Sequence, residues 1–189
     1  MKVIIPLAGF GTRLRPHTYS RPKPLIHVAG KPVLGHLLDR LRGLPIDEYL
    51  FIVGYLGNQI EDYVRENYND TPSRYFLQEE LNGQSPAIYL AREAIEGPVL
   101  ILFVDTIFEA DLSFLAETDA DGIAFVKEVE DPRRFGVAAV DEHGCVRRFI
   151  EKPEAMDNKL AVIGMYYIRD SAAMLDAIAT QLNEQRRTK

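Results

Sequence analysis

The residues of this chain that could do chemistry begin directly after an apolar run near the N-terminus. Gly9 and Gly11 flank a single residue, and two cations, Arg13 and Lys23, follow them. Glycine lets a backbone turn so that its N–H groups point toward one ligand without a Cβ atom in the way. Two cations beside such a turn can neutralise a polyphosphate. The segment predicts a nucleoside triphosphate site, and a Gly/Pro-rich surface loop is the simpler alternative.

Two common phosphate-binding motifs do not fit this segment. The pattern Gly-x-x-x-x-Gly-Lys-Ser/Thr needs a glycine at Leu14, and the dinucleotide pattern Gly-x-Gly-x-x-Gly needs its third glycine at the same place. The helix that should follow is also blocked, because Pro16, Pro22 and Pro24 forbid a continuous helix. We therefore predict a long ordered loop after Gly11.

A sheet must position these residues, and three apolar runs predict its buried parallel strands. The runs are Val3–Leu7, Leu50–Val53 and Val99–Val104. Ligands of a doubly wound sheet bind beyond the carboxyl ends of its strands. Gly9, Gly54 and Asp105 directly follow these strands, so we expect them to line one edge of the sheet.

Helical patterns separate these strands, and a β-rich pattern follows residue 120. Pro32 is expected to open the first helix, Asn58 to cap the second, and Ser85 with Pro86 to start the third. Later strands are predicted at Gly122–Val129, Gly136–Val140, Val146–Ile150 and Leu160–Ile168, with a last helix from Ser171. We expect an α/β fold with a Rossmann-like, doubly wound mixed sheet. Its predicted parts are a nucleotide-binding half (1–120), a β-rich half (121–170) and a C-terminal helix (171–189).

The glycine segment resembles the signature of the sugar-1-phosphate nucleotidyltransferase family, Leu-Ala-Gly-Gly-x-Gly-Thr-Arg-Leu-x-Pro-x-Thr followed by Pro-Lys-Pro. This chain has one glycine fewer, which is similar to the UTP–glucose-1-phosphate uridylyltransferase branch. Its Pro-Lys-Pro-Leu resembles the thymidylyl- and guanylyltransferase branches instead, so the loop leaves the nucleotide open. The resemblance implies the nucleotide-diphospho-sugar transferase fold and makes Arg13 and Lys23 catalytic. It implies nucleotide contacts at Leu7, Ala8, Gly9, Gly11 and Thr12.

The resemblance assigns further roles after this loop. Asp105 would be a metal-binding aspartate, and a carboxylate at this place suits Mg²⁺ bridged to phosphate oxygens. A cap or turn aspartate is the alternative. Gln78 and Gly83 occupy the positions that contact the nucleotide base in the family, although Gln84 and Ser85 depart from its pattern. A surface loop with a helix cap remains open for that segment.

A last group of motifs resembles the family's sugar-phosphate site. Phe135-Gly136-Val137 is similar to a Tyr-Gly-Val segment, which places Gly136 under the sugar. Glu151-Lys152-Pro153 matches Glu-Lys-Pro, so Glu151 would accept from sugar hydroxyls and Lys152 would pair with the sugar phosphate. Gly164 would allow close approach in the strand that closes the pocket, or lie in an ordinary core strand.

The activity implied by the resemblance is nucleotidyl transfer from a nucleoside triphosphate to a sugar 1-phosphate. The family also carries a second metal-binding aspartate C-terminal to Glu-Lys-Pro, and no residue after Asp170 has the right setting. The chain is then either a truncated or a naturally short member with weak metal binding, or a nucleotide or nucleotide-sugar binding domain with little or no turnover. A third hypothesis is a Rossmann-like binding domain whose glycine loop is incidental.

Composition excludes several other function classes. The chain has 189 residues and 47% apolar content, which fits one α/β domain with a substantial core. A net charge of −6 gives no general attraction to nucleic acid or to an anionic membrane. The single cysteine, Cys145, excludes an internal disulfide and suits a reducing cytoplasm. We expect a cytoplasmic enzyme without nucleic-acid or membrane partners, and homo-oligomer formation stays open.

Overall fold

A mixed β-sheet with a parallel part and an antiparallel part organises the fold of the chain. A computed structural model describes residues 1–184. Its strands are β1 (Lys2–Pro6), β2 (His27–Val28), β3 (Lys31–Pro32), β4 (Glu48–Val53), β5 (Ser73–Leu77), β6 (Val99–Leu102), β7 (Gly122–Glu128), β8 (Gly136–Val140), β9 (Val146–Glu151) and β10 (Leu160–Ile168). Eight of them form one sheet in the order β5-β4-β1-β6-β10-β8-β9, with β7 also paired to β10. β2 and β3 form a separate two-stranded sheet.

Strand direction divides the large sheet. β1 pairs in parallel with both β4 and β6, and β4 pairs in parallel with β5. The pairs made by β10 with β6, β7 and β8, and by β8 with β9, are antiparallel. Together with the helices, this arrangement confirms the predicted α/β fold with a mixed sheet.

Four α-helices accompany the sheet in the described residues. They are α1 (Val33–Leu41), α2 (Gly57–Asn67), α3 (Gln84–Leu90) and α4 (Ser171–Asn183). The C-terminal helix was predicted over residues 171–189. Residues 185–189 lie outside the described part of the chain. Among helices of residues 1–184, none has the length and apolar character needed to cross a bilayer.

β1 is the centre of the core because both of its faces are covered. Val3, Ile4 and Ile5 have no exposed surface. Successive side chains of a strand point to opposite faces. Val3 and Ile5 accordingly pack with the buried residues of α1 and α2, whereas Ile4 packs with those of α3. This two-sided cover explains the unbroken apolar run in the sequence.

The predicted starts of two helices were wrong by a small margin. α2 begins at Gly57, so Asn58 lies inside it, and its N-cap is Leu56 in the left-handed region with φ 58°. α3 begins at Gln84 after Gly83, so Ser85 is also helical, and no side chain makes a capping hydrogen bond at either start. Both turns are set by backbone conformation, which a search for polar capping side chains does not detect.

Two other features also differ from the sequence-based prediction. In the sequence, the helical spacing of Ala87, Leu90, Ala91 and Ala94 predicts a third helix that runs through Ala94. In the structure α3 ends at Leu90, and a separate 3₁₀ turn, Arg92–Ala94, follows. β5 was missed, because its alternating and partly exposed residues give a weak strand pattern. The polar segment 141–144 predicts a hairpin turn between two strands. The structure confirms that turn, since the Gly144 N–H donates to the Asp141 carbonyl at 3.0 Å.

A cluster of charges joins the amino-terminal ends of the parallel strands. Both carboxylate oxygens of Glu48 accept hydrogen bonds from Arg74, each at 2.6 Å. The Lys2 ammonium lies 3.6 Å from the same carboxylate and donates to the Ala94 carbonyl at 2.7 Å. Hydrogen bonding to Arg74, helped by the positive charges of Arg74 and Lys2, outweighs burial and lowers the pKa of Glu48.

This cluster predicts a pH-dependent contribution to stability. A carboxyl group whose pKa is lowered by folding stabilises the protein above its ordinary pKa of 4.5, and that contribution is lost as pH falls through the folded-state pKa. We expect Glu48→Gln to lower the free energy of unfolding by about 1–2 kcal/mol at neutral pH. The difference from wild type should shrink toward zero as pH falls below 4.5 and through the lowered folded-state pKa of Glu48.

Urea unfolding of both proteins at several pH values measures this difference. The exposed Glu66 of α2 provides a matched control, and Glu66→Gln should leave the free energy of unfolding nearly unchanged. A Glu48→Gln difference that stays constant across the pH range would contradict the assignment.

Candidate functional site

A cleft opens where β1 and its parallel neighbour β6 end. It encloses about 110 Å³, and we call it the edge cleft. Its lining residues are Pro6, Leu7, Gly9, Lys23, Pro24, Phe103, Val104 and Asp105. Because β1 and β6 are parallel and adjacent, the segments that follow them leave the sheet at the same edge. The structure therefore brings together three residues that were predicted to act here, Gly9, Lys23 and Asp105.

The glycine loop, residues 7–25, is ordered by contacts at Gly11. This residue has φ 61°, and a Cβ atom on it would lie 3.0 Å from both Thr18 and Lys23 side-chain carbons. The Thr18 hydroxyl, which is buried, donates to the Gly11 carbonyl at 3.0 Å. The rest of the loop forms three 3₁₀ turns, Thr12–Leu14, His17–Tyr19 and Lys23–Leu25, so the long helix-free loop is confirmed.

The two predicted cations have different surroundings. The Lys23 ammonium lies 3.4 Å from an Asp105 carboxylate oxygen at the mouth of the edge cleft. Arg13 is exposed in the first 3₁₀ turn, next to Thr12, and its guanidinium has no ion-pair partner within residues 1–184. The exposed Lys23–Asp105 pair contributes little to stability, so both groups are available to a ligand.

Gly54 fixes the position of the loop against β4. A Cβ atom at Gly54 would lie 2.8 Å from the Ala8 carbonyl oxygen, closer than atoms can pack. The Leu7 N–H donates to the Ile52 carbonyl at 2.7 Å, which continues the pairing beyond the end of β1. Leu7 and Ala8 are buried. These contacts hold the backbone of residues 7 and 8 against the end of β4, and the nucleotide contacts expected at Leu7 and Ala8 stay a prediction.

Gln78 and Gly83 lie together beyond β5. The Gln78 N–H donates to the Val53 carbonyl at 2.8 Å, and its side-chain amide donates to the Gly83 carbonyl at 3.4 Å. The Gln78 side chain is buried, whereas Gly83 is exposed and has φ 108°, a conformation that favours glycine. Since β5 is next to β4, this pair lies along the same edge as the glycine loop.

The predicted sugar-phosphate residues form a second group on β8 and β9. Gly136 is paired directly with Glu151, and a Cβ atom on Gly136 would lie 3.0 Å from the Glu151 carboxylate. The Lys152 backbone has φ 46°, and its N–H donates to the Phe135 carbonyl at 2.9 Å. Its ammonium lies 3.4 Å from Glu151. Within residues 1–184 no hydrogen bond or ion pair joins Glu151 or Lys152 to the edge cleft.

Gly164 links the antiparallel strands to the edge cleft. It lies where the β10–β7 register shifts and has φ 74°. Its carbonyl accepts from the Phe103 N–H at 3.0 Å, and a Cβ atom would lie 3.3 Å from the Phe103 side chain. Close approach was the predicted reason for this glycine. The structure gives that approach a partner, Phe103, which lines the cleft two residues before Asp105.

Sequence analysis missed two residues that shape the site. The Thr18 hydroxyl donates a hydrogen bond to the Gly11 carbonyl within the glycine loop. Phe103 lies between the end of β6 and Asp105 and lines the edge cleft. Thr18 could have been found, since it is the last position of the quoted Leu-x-Pro-x-Thr pattern. No local signal identifies Phe103, because its role depends on contact with Gly164 in a distant strand.

The donor groups of the edge cleft fit a magnesium ion only in part. No group of three acidic, histidine or cysteine side chains that could hold a metal occurs in the described residues. Asp105 is the carboxylate among the residues that line the cleft. Mg²⁺ is commonly held by one or two carboxylates together with substrate phosphates and water. The residues present therefore fit Mg²⁺ if a bound polyphosphate supplies the other oxygens.

Known proteins are similar in sequence to this chain. Two curated relatives are 37% and 33% identical over 167 and 172 residues, and each alignment covers 88% of the chain. They are the bifunctional protein GlmU of Methanocaldococcus jannaschii and the UTP–glucose-1-phosphate uridylyltransferase AglF of Haloferax volcanii. The alignment covers 39% of GlmU and 71% of AglF, so the chain spans about two fifths of the length of the first.

The fold is shared as well. A solved UDP-glucose pyrophosphorylase in complex with UDP-glucose superposes with a TM-score of 0.82, over 94% of this chain and 78% of that one. At 21% identity this likeness concerns the fold. The family model described as nucleotidyl transferase matches residues 2–189, nearly the whole sequence. With the glycine loop and the mixed sheet, these matches show that the chain belongs to the nucleotidyl transferase family.

Proposed function

We propose that this chain transfers a nucleotidyl group from a nucleoside triphosphate to a sugar 1-phosphate. The observation that carries the proposal is the edge cleft, where the glycine loop, the Lys23 ammonium and the Asp105 carboxylate meet. Such a cleft places a glycine turn, a cation and a metal-binding oxygen beside one ligand. The relative AglF, a uridylyltransferase by name, supports the same reaction class.

The reaction is a direct displacement at phosphorus. An oxygen of the sugar 1-phosphate attacks the α-phosphorus of the triphosphate, and a new P–O bond forms. The bond between the α-phosphorus and its bridging oxygen to the β-phosphorus breaks, and pyrophosphate leaves with that bonding pair. Such reactions are catalysed mainly by positioning and by stabilisation of charge. No covalent enzyme intermediate is needed.

The glycine loop and its two cations hold the triphosphate in this proposal. Arg13, which has no ion-pair partner within residues 1–184, stabilises the triphosphate and the negative charge of the leaving pyrophosphate. When the substrate binds, the Lys23 ammonium leaves the Asp105 carboxylate and contacts the phosphate nearest the reacting centre. Gln78 and Gly83 contact the base, because they lie further along the same edge, beyond β4.

The antiparallel part of the sheet holds the sugar 1-phosphate. Glu151 accepts hydrogen bonds from sugar hydroxyls, and Lys152 exchanges Glu151 for the sugar phosphate. Gly136 leaves space beside Glu151, and Gly164 brings β10 against Phe103 so that both substrates can meet. Residues 1–120 would then be the nucleotide-binding part of one domain and residues 121–170 its sugar-binding part.

Asp105 would hold a Mg²⁺ ion with the phosphate oxygens of the substrate. When bound, Mg²⁺ neutralises phosphate charge and so favours attack by a second anion.

The single free cysteine, Cys145, supports a reducing cytoplasm as the place of the reaction.

Arg13→Ala tests the proposed stabilisation of the leaving group. We expect kcat/KM for pyrophosphate release to fall by about 10²–10³-fold, since a charge-stabilising donor is removed. The melting temperature should stay unchanged, because Arg13 is exposed and has no ion-pair partner in the described residues. Arg65→Ala, which removes an exposed arginine from α2, is the control and should retain activity. Near-normal turnover of Arg13→Ala would contradict the proposal.

Asp105→Asn tests the metal-binding role. The Mg²⁺ concentration for half-maximal pyrophosphate release should rise by about 10–100-fold, because a charged oxygen ligand is lost. Stability should change by less than about 1 kcal/mol, since the ion pair with Lys23 is exposed. Asp119→Asn changes an exposed aspartate elsewhere and should have the wild-type Mg²⁺ requirement. An unchanged requirement in Asp105→Asn would show that the metal is held elsewhere.

A second candidate is a domain that binds nucleotide or nucleotide-sugar with little turnover. The presence of one carboxylate among the cleft-lining residues favours it. Thermal stabilisation by dTTP, UTP, GTP, CTP and ATP with Mg²⁺, followed by pyrophosphate release with a panel of sugar 1-phosphates, separates the two candidates. Stabilisation with release supports transfer, and stabilisation without release supports binding alone. If neither a triphosphate nor a nucleotide-sugar stabilises the protein, both candidates fail.

A further inference from the structure

The exposed part of the glycine loop is tied to the segment that follows β4. The rings of Phe10 and Tyr55 lie 5.8 Å apart in a tilted arrangement. The Tyr55 hydroxyl donates to the Tyr19 carbonyl at 2.7 Å. Phe10 and Tyr19 lie on either side of Arg13 in the sequence. One tyrosine therefore contacts the loop both before and after its arginine.

Two neighbouring contacts support this connection. The Gln59 side-chain amide donates to the Ser20 carbonyl at 3.0 Å, directly beside the bond made by Tyr55. The Arg15 guanidinium lies over the Tyr19 ring, 5.2 Å from its centroid. Tyr55 and Gln59 both come from the β4–α2 region, which is anchored in the core by the buried Ile60. The loop is thus attached to a rigid part of the fold.

The part of the loop between residues 9 and 21 has few other buried contacts. Between residues 9 and 21, Thr18 is the buried side chain. Phe10 and Tyr55 keep 46% and 44% of their surface exposed, so their contact buries only part of each ring. A segment with few buried contacts opens at a low free-energy cost, and each remaining contact then has a large effect on its conformation.

We propose that Tyr55 is a positioning residue, which holds the glycine loop in its nucleotide-binding conformation through Phe10 and the Tyr19 carbonyl. It touches no substrate. It acts by keeping the Gly9–Gly11 turn and Arg13 in place before the triphosphate arrives. A protein whose binding-competent state is only partly populated binds its ligand more weakly by that fraction. The effect of Tyr55 is thus expected in KM for the triphosphate. This consequence rests on the proposed function.

Tyr55→Phe is the sharpest variant, because it removes one hydroxyl and keeps the ring contact with Phe10. We expect KM for the triphosphate that stabilises the protein most to rise about 2- to 10-fold, the range that one net hydrogen bond supports. kcat should stay unchanged, because saturating nucleotide restores the loop conformation. A merely structural role would lower the active fraction, and with it kcat, at constant KM.

Trypsin gives a second measurement that needs no activity. Arg15, Arg21 and Lys23 each precede a proline, which blocks trypsin, so Arg13–Leu14 is the cleavable bond of the loop. Its cleavage rate without nucleotide, followed by mass spectrometry, reports how often the loop opens. We expect this rate to rise about 2- to 10-fold in Tyr55→Phe, and further in Phe10→Ala, at unchanged urea stability.

Tyr89→Phe is the matched control. Tyr89 lies in α3 and packs against Arg92, with 5.1 Å from the guanidinium to its ring centroid. Its substitution should change neither KM nor cleavage at Arg13. If Tyr55→Phe cleaves at the wild-type rate, or lowers kcat at constant KM, the positioning role is wrong. If cleavage accelerates in Tyr55→Phe but no triphosphate slows it in the wild type, the loop contact stands and the proposed function fails.

Discussion

The complete burial of Val3, Ile4 and Ile5 in β1 is the constraint on which the rest of the structure depends. This strand is paired on both edges and covered on both faces, so its backbone becomes available to a ligand only where pairing ends. The glycine loop starts at that point. The ends of β4 and β6 lie on either side, and they contribute Gly54 and Asp105 to the same edge. The site is therefore a consequence of strand order in the parallel part of the sheet.

Positive charge lies close to the glycine loop, where the phosphorylated substrates of the proposed reaction would require it. The chain carries a net charge of −6, yet the groups around the glycine loop include Lys23, which is paired loosely with Asp105, and Arg13, which has no ion-pair partner in the described part of the chain. An exposed ion pair such as Lys23–Asp105 holds each side chain near the cleft at little cost to stability. Each partner can then exchange the other for an opposite charge in the ligand. Lys152 and Glu151 form a similar exposed pair on β9.

The antiparallel strands extend the site beyond a simple nucleotide-binding fold. β10 pairs with β6, so the β-rich half continues the same sheet. At Gly164 the strand bends out of register and lies against Phe103, close to Asp105 in the chain. Two groups of polar residues, one beyond the parallel strands and one on β8 and β9, are thus connected through β10. A transfer between two phosphorylated substrates needs this kind of two-part site.

The sequence by itself determined the buried strands, the helix-free glycine loop and the identities of Arg13, Lys23 and Asp105 as candidates. These depend on local patterns: apolar runs, prolines, and the spacing of glycines and charges. Only the tertiary structure decided that Lys23 meets Asp105, that Gly54 lies under Ala8, and that helices α2 and α3 begin through backbone turns instead of capping side chains. It also revealed β5 and the contact of Tyr55 with both sides of the glycine loop. The physical reason is separation along the chain, because residues 36 to 82 positions apart meet through the pairing and packing of strands, which no local pattern records.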